Sequence, residues 1–134
     1  MTNEALIQEA KKAREKSYSP YSHFQVGAAL LTKSGKVYHG CNIENAAYSP
    51  TNCAERTAFF KAVSEGEKEF SKIAIVGGKE GTEPYDMCAP CGVCRQVMKE
   101  FCDSKEFEIV LTDGEEGIRV FTLEELLPYG FGLE

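Results

Sequence analysis

Apolar residues recur along this chain with two alternating periods. Near the amino terminus Leu6, Ile7, Ala10 and Ala13 fall three and four apart, one face of a helix that Thr2 or Asn3 can cap. Residues 26–32 and 36–41 are short apolar runs either side of Ser34-Gly35, which predicts a hairpin. Helical spacing returns at Ala54, Thr57, Ala58, Ala62 and Val63 and stops at Gly66, with Asn52 placed to cap and Cys53 in the first turn. Residues 73–77 read as a third strand, and Pro90 suits the start of a helix through Val93, Val97, Met98 and Phe101. A fourth strand at 107–112, a turn at Asp113-Gly114 and a fifth strand around 118–121 follow. Thr122-Leu123-Glu124-Glu125 has the form of a capping box opening a last short helix, which Pro128 ends. Segments 17–23, 42–51 and 79–89 keep neither period and read as loops.

Connection lengths then constrain the topology. A full helix separates the third and fourth strands, so they can be parallel with a right-handed crossover. Only a few turn residues separate the fourth and fifth, too short for such a crossover, so these are antiparallel. The expected fold is α/β: three layers, α/β/α, around a mixed five-stranded sheet, in a single domain over residues 1–134. Ligands of such sheets bind beyond the carboxyl ends of the parallel strands, where the helices at Cys53 and Cys91 begin.

Those two helix starts carry the candidate chemistry. Cys53-Ala54-Glu55 and Pro90-Cys91-Gly92-Val93-Cys94 supply three thiols for one Zn²⁺ and leave a fourth position open, as catalytic zinc sites do. Cys91 and Cys94, three apart, share a face of one turn. Helix amino termini favour thiolates. A Cys₃ zinc site with a glutamate that is not a ligand is a recognised pattern of zinc nucleobase deaminases. Competing readings are buried structural thiols, a redox pair, or a closed Cys₄ site completed by Cys88, since Cys88-Ala89-Pro90-Cys91 also fits CxxC. Cys88 precedes the helix, which favours the later pair. Cys41 and Cys102 read as small buried apolar residues. Glu55, beside the first ligand, is the candidate proton shuttle, taking a proton from metal-activated water and delivering it to the substrate; the bland reading is a first-turn glutamate stabilised by the helix dipole. His23 and His39 read as solvated or hydrogen-bonded residues, not ligands.

Composition narrows the partner. A chain of 134 residues, 43% hydrophobic and 27% charged, is ordinary for a globular protein with its own core. Its net charge of −6 argues against a nucleic-acid substrate, whose phosphates need clustered lysine and arginine, and favours a small uncharged ligand. There is no apolar run long enough to span a membrane, and residues 1–16 lack the apolar centre of a secretory signal. Six cysteines in such a chain are expected to be thiols in a reducing cytoplasm.

Four motifs together resemble one family. Ser19-Pro20-Tyr21-Ser22-His23-Phe24-Gln25-Val26-Gly27-Ala28-Ala29-Leu30, Gly40-Cys41-Asn42-Ile43-Glu44-Asn45-Ala46, Cys53-Ala54-Glu55-Arg56-Thr57-Ala58 and Pro90-Cys91-Gly92-Val93-Cys94-Arg95-Gln96-Val97 are similar, in that order, to the small homotetrameric cytidine deaminases. Leu126-Leu127-Pro128 with Phe131 resembles their carboxyl end. The resemblance implies hydrolytic deamination of cytidine and 2′-deoxycytidine, one zinc per chain, and four active sites shared between subunits. It implies that Arg56 hydrogen-bonds ligand sulfurs and withdraws charge from them. It further implies that Asn42 and Glu44 bind the ribose 3′-hydroxyl, that Phe24 packs near the nucleoside, and that the Ala54 backbone amide meets the pyrimidine. Phe131 is implied to reach a neighbouring subunit's base. A deaminase of a modified cytosine nucleoside such as blasticidin S is the sister reading, and the Asn42-x-Glu44 pair, suited to an ordinary ribose, separates the two. A zinc module without activity would not need Glu55, and an editing deaminase would need a basic channel.

Overall fold

A computed structural model describes residues 1–133. Four helices, α1 (Asn3–Arg14), α2 (Ala54–Ser64), α3 (Gly92–Phe101) and α4 (Leu123–Leu126), accompany five strands, β1 (Phe24–Thr32), β2 (Val37–Cys41), β3 (Phe70–Lys79), β4 (Glu108–Thr112) and β5 (Ile118–Thr122). The strands form one sheet in the order β2-β1-β3-β4-β5. β1 is antiparallel to both β2 and β3, β3 is parallel to β4, and β4 is antiparallel to β5. β2, β3 and β4 therefore point the same way, and their carboxyl ends share one rim of the sheet.

Strand alternation divides the core between the two faces. Ala29, Leu31, Ala74, Val76 and Val110 meet Leu6, Ile7 and Ala10 of α1 on one side. Ala28, Leu30, Ile73, Ile75, Ile109 and Leu111 meet α2 and α3 on the other. Phe59 is fully buried at the centre of this second face, its ring 5.0 Å from Phe70, 6.2 Å from Phe101 and 6.0 Å from Phe107. The three-layer arrangement expected from the sequence is present, and among the described residues no helix is long and apolar enough to cross a membrane.

The predicted caps are partly relocated. Thr2 does cap α1, accepting from the Ala5 amide at 3.1 Å, and the capping box at Thr122 and Glu125 forms with both of its bonds. Asn52 does not cap α2. The cap is Cys53 itself, and Asn52 Nδ2 donates to Thr57 Oγ1 at 3.2 Å. Cys91 caps α3, so Pro90 lies one residue before the helix cap and not within the helix. β3 extends beyond the predicted 73–77 at both ends because it pairs with β1 along its length, from Phe24 opposite Lys79 to Thr32 opposite Phe70. Tertiary pairing here outweighs the weak local pattern of its polar ends.

Candidate active site

Both thiol-bearing helices start at the same rim, α2 after β2 and α3 after β3. A close approach places the first of them. A Cβ on Gly40 would lie 2.2 Å from the Ala54 carbonyl oxygen and 2.6 Å from the Ala58 nitrogen, so only glycine lets the start of α2 rest on β2. Cys53 and Cys91 occupy the cap positions with extended backbones and no side-chain capping bond, which leaves their sulfurs free to face each other. Cys94 lies in the first turn of α3 and is buried.

The three sulfurs lie within 4.8 Å of one another, with Cys53 and Cys91 3.8 Å apart and Cys91 and Cys94 3.5 Å apart. A tetrahedral zinc with Zn–S bonds near 2.3 Å has sulfur–sulfur edges of about 3.8 Å, so the donor set and its spacing both fit Zn²⁺. Cys88 stands outside this triangle. Its sulfur packs over Gly77, where a Cβ would meet it at 2.7 Å, and burial pushes its thiol up to about 11. All six cysteines are unpaired.

Charge is distributed so that the sulfur cluster is anionic. Cys53 is held down to about 5, first by its hydrogen bond with Cys94 and then by Arg56. The same bond with Cys53, together with burial, pushes the Cys94 thiol upward, so the two share a proton in favour of a Cys53 thiolate. Arg56 Nη2 donates to Cys53 Sγ at 3.4 Å, the contact implied for it by its motif, while Arg56 Nε is buried with no protein acceptor. A guanidinium against Cys53 Sγ offsets part of the negative charge that thiolate ligands would bring to a metal.

Glu55 follows in the first turn of α2 and is only 4% exposed. Burial pushes its carboxyl up to about 7, assisted by the negative Cys53 and opposed by its own backbone amide and by Arg56. The neighbouring Ala54 occupies the first helical position, where an amide has no partner within the helix.

Asn42 and Glu44 both turn toward the 17–24 loop. Asn42 Nδ2 donates to the Phe24 carbonyl at 2.8 Å, and its Oδ1 accepts from the Val26 amide at 2.9 Å and from Ser17 Oγ. Glu44 accepts from the Tyr21 and Ser22 amides at 3.0 and 3.1 Å and from Ser22 Oγ, contacts that hold its carboxyl below the usual range. Each side chain keeps one unused site, a proton on Asn42 Nδ2 and a lone pair on Glu44 Oε2, which is the complement of a single hydroxyl. Phe24, 39% exposed, lies over Gly77 and lines a cavity of about 410 Å³ with Gly78, Thr82, Tyr85, Met87 and Cys88. Phe131 stands apart in the tail with its ring largely exposed, tethered by Gln96 Nε2 to its carbonyl oxygen at 3.0 Å. His23 contacts Glu80 at 3.3 Å and His39 contacts Glu9 at 2.9 Å, away from the sulfurs.

Two arginines have roles that residue order alone does not suggest. Arg95 donates to the Pro90 carbonyl at 2.7 Å and the Leu126 carbonyl at 2.6 Å, joining the turn before Cys91 to α4. Arg14 bonds backbone carbonyls of β1, β3 and the 79–89 loop. Their partners are all main-chain oxygens, which leave no mark in residue type.

An α/β/α layering with a Cys₃ cluster and a buried glutamate at the carboxyl rim defines the class of zinc-dependent hydrolytic deaminases. Comparisons agree. The model of the cytidine and deoxycytidylate deaminase zinc-binding region matches residues 1–109. A cytidine deaminase of Sporosarcina psychrophila is 54% identical over 134 residues, covering 100% of this chain and 94% of that protein. One from Halalkalibacterium halodurans is 50% identical over 134 residues, covering 100% of this chain and 97% of that protein. The crystal structure of cytidine deaminase from Burkholderia pseudomallei superposes with a TM-score of 0.88 at 53% identity, covering 98% of this chain and 100% of that one. The chain belongs to the cytidine deaminase family.

Proposed function

We propose that residues 1–134 form one catalytic domain that hydrolyses cytidine and 2′-deoxycytidine to uridine and 2′-deoxyuridine, water replacing the C4 amino group, which leaves as ammonia. The observation that carries this reading is the Cys53, Cys91 and Cys94 triangle with the buried Glu55 beside it. Cys53, Cys91 and Cys94 would hold Zn²⁺, which supplies Lewis acidity and makes a water acidic enough to attack near neutral pH. Glu55 would take the first proton that this water loses and pass it to ring N3, then take the remaining proton of the new C4 hydroxyl, as that oxygen becomes the carbonyl, and give it to the departing amine. A carboxyl pushed to about 7 both accepts and returns a proton at neutral pH. The Ala54 amide meets the pyrimidine, Asn42 donates to the ribose 3′-hydroxyl and Glu44 accepts its proton, and Phe24 packs against the nucleoside. Arg56 draws charge from the sulfurs and so preserves the acidity of the metal.

The assembly we propose is a homotetramer in the cytoplasm. Supporting it are Tyr48, 93% exposed in the 45–51 loop, and Phe131, 69% exposed in the tail, two large rings that a monomer leaves in water. In a tetramer each would complete a neighbour's pocket.

The direct test is loss of cytidine absorbance in the ultraviolet, with the purified protein before and after stripping by a zinc chelator. Turnover that is lost on chelation and restored by Zn²⁺ is expected. Turnover indifferent to the chelator would refute the zinc reading, and no turnover of cytidine or deoxycytidine by zinc-loaded protein would refute the substrate.

A further inference from the structure

Arg14 closes α1 on the face of the sheet away from the sulfurs, yet its guanidinium reaches the rim where they sit. Nε donates to the Gln25 carbonyl at 3.0 Å, Nη2 to the Gly78 and Lys79 carbonyls, each at 3.0 Å, and Nη1 to the Thr82 carbonyl at 2.9 Å. Gln25 and Gly78 are cross-strand partners, as are Phe24 and Lys79, so these oxygens mark the last rungs of the β1–β3 ladder and the first turn beyond it. Strand ends fray unless something holds them. What this end carries is Phe24 and the loop that runs through Cys88 to Cys91.

A second feature places the clamp. A Cβ on Gly27 would lie 2.1 Å from the Ala10 carbonyl oxygen and 2.4 Å from the Arg14 nitrogen. Glycine at that position therefore lets the end of α1 lie directly on β1, close enough for the side chain to pass the strand and reach β3. Arginine suits the task because its planar fork offers five donors in fixed directions, whereas a lysine ammonium is a single point that cannot span oxygens on three segments.

We infer that Arg14 is a positioning residue for substrate binding: it pins the ends of β1 and β3 and the start of the 79–89 loop, and so fixes the wall formed by Phe24 and Cys88. The inference rests on the nucleoside reading of that wall, but the clamp itself can be read without activity.

Two readouts on Arg14→Gln and Arg14→Lys test it. Amide hydrogen exchange over residues 77–83 should speed up at least tenfold in both variants, while the centres of β3 and β4 stay protected. The KM for cytidine should rise about tenfold, the scale of one or two net hydrogen bonds, with kcat within about twofold and zinc content unchanged. Lysine is not expected to rescue. Unchanged exchange in either variant would overturn the clamp. A fall in kcat and zinc content in step with KM would make Arg14 an ordinary stabilising residue. If the wild-type protein leaves cytidine untouched, the reading of the reaction fails, and the exchange rates still decide whether the clamp exists.

Discussion

At the scale of single residues, the burial of Glu55 demands explanation. A carboxyl that is 4% exposed and pushed to about 7 opposes folding at any pH where it is ionised, and an alanine or leucine would fill the site without that cost. Its retention beside Cys53 makes sense if the proton is used. Glu55→Gln keeps the shape but cannot exchange a proton, so turnover should fall by at least about 10²–10⁴-fold. Zinc content, measured by atomic absorption, should stay at one per chain. Near-normal turnover in that variant would remove Glu55 from the mechanism. The sulfurs are separable in the same way. Cys88 sits over Gly77 outside the triangle, so Cys88→Ser should keep its zinc, whereas Cys94→Ser, which removes the buried corner, should lose it. The opposite pattern would exchange the two cysteines as ligands.

At the scale of elements, the site depends on how closely α2 can approach β2. Gly40→Ala would put a methyl 2.2 Å from the Ala54 carbonyl oxygen, a backbone atom that cannot swing aside. Overpacking of this kind costs roughly 1–3 kcal/mol, and here the displacement falls on the cap that carries Cys53. Thermal unfolding should shift downward, and a chelator should strip zinc faster; unaltered release would show that the cap is placed by other contacts. Much of this arrangement is legible in the amino-acid sequence alone. Helical spacing at Leu6, Ile7 and Ala10, the Ser34-Gly35 turn and the capping box at Thr122 each act over a few residues, and each element formed as its local pattern implies. The cysteine triangle is legible for the same reason, because fixed spacings at two helix starts leave little freedom. What sequence conceals is set by distant partners. Phe59 looks like any helical aromatic until Phe70, Phe101 and Phe107 surround it. The same holds for the length of β3 and for the carbonyls that Arg14 and Arg95 bind. Asn42 and Glu44, implied as ribose ligands, spend most of their hydrogen-bonding capacity holding residues 17–26.

At the scale of the whole molecule, the decisive question is what covers the rim. Cys91 is exposed, Phe24 lines a cavity of about 410 Å³, and Tyr48 and Phe131 are largely exposed, so one chain alone leaves this rim in contact with water. Water at the reacting carbon weakens every electrostatic contact that the site offers. A closed assembly in which the 45–51 loop and Phe131 cap a neighbour would exclude it, and closed symmetry would give all four sites the same cover. If Phe131 acts across the interface, Phe131→Ala should weaken substrate binding by about 1–2 kcal/mol, the scale of a lost aromatic contact with its burial. Thermal stability should change little, since the ring is exposed within its own chain. Mixing gives the sharper test. Glu55→Gln chains lack the shuttle, and Phe131→Ala chains lack the cap. In a mixed tetramer of the proposed kind some pockets would draw Glu55 from one chain and Phe131 from another, so affinity and turnover should partly return together. Light scattering that finds an active monomer, or mixtures no better than the average of their parents, would leave Phe131 as a tail residue of its own subunit.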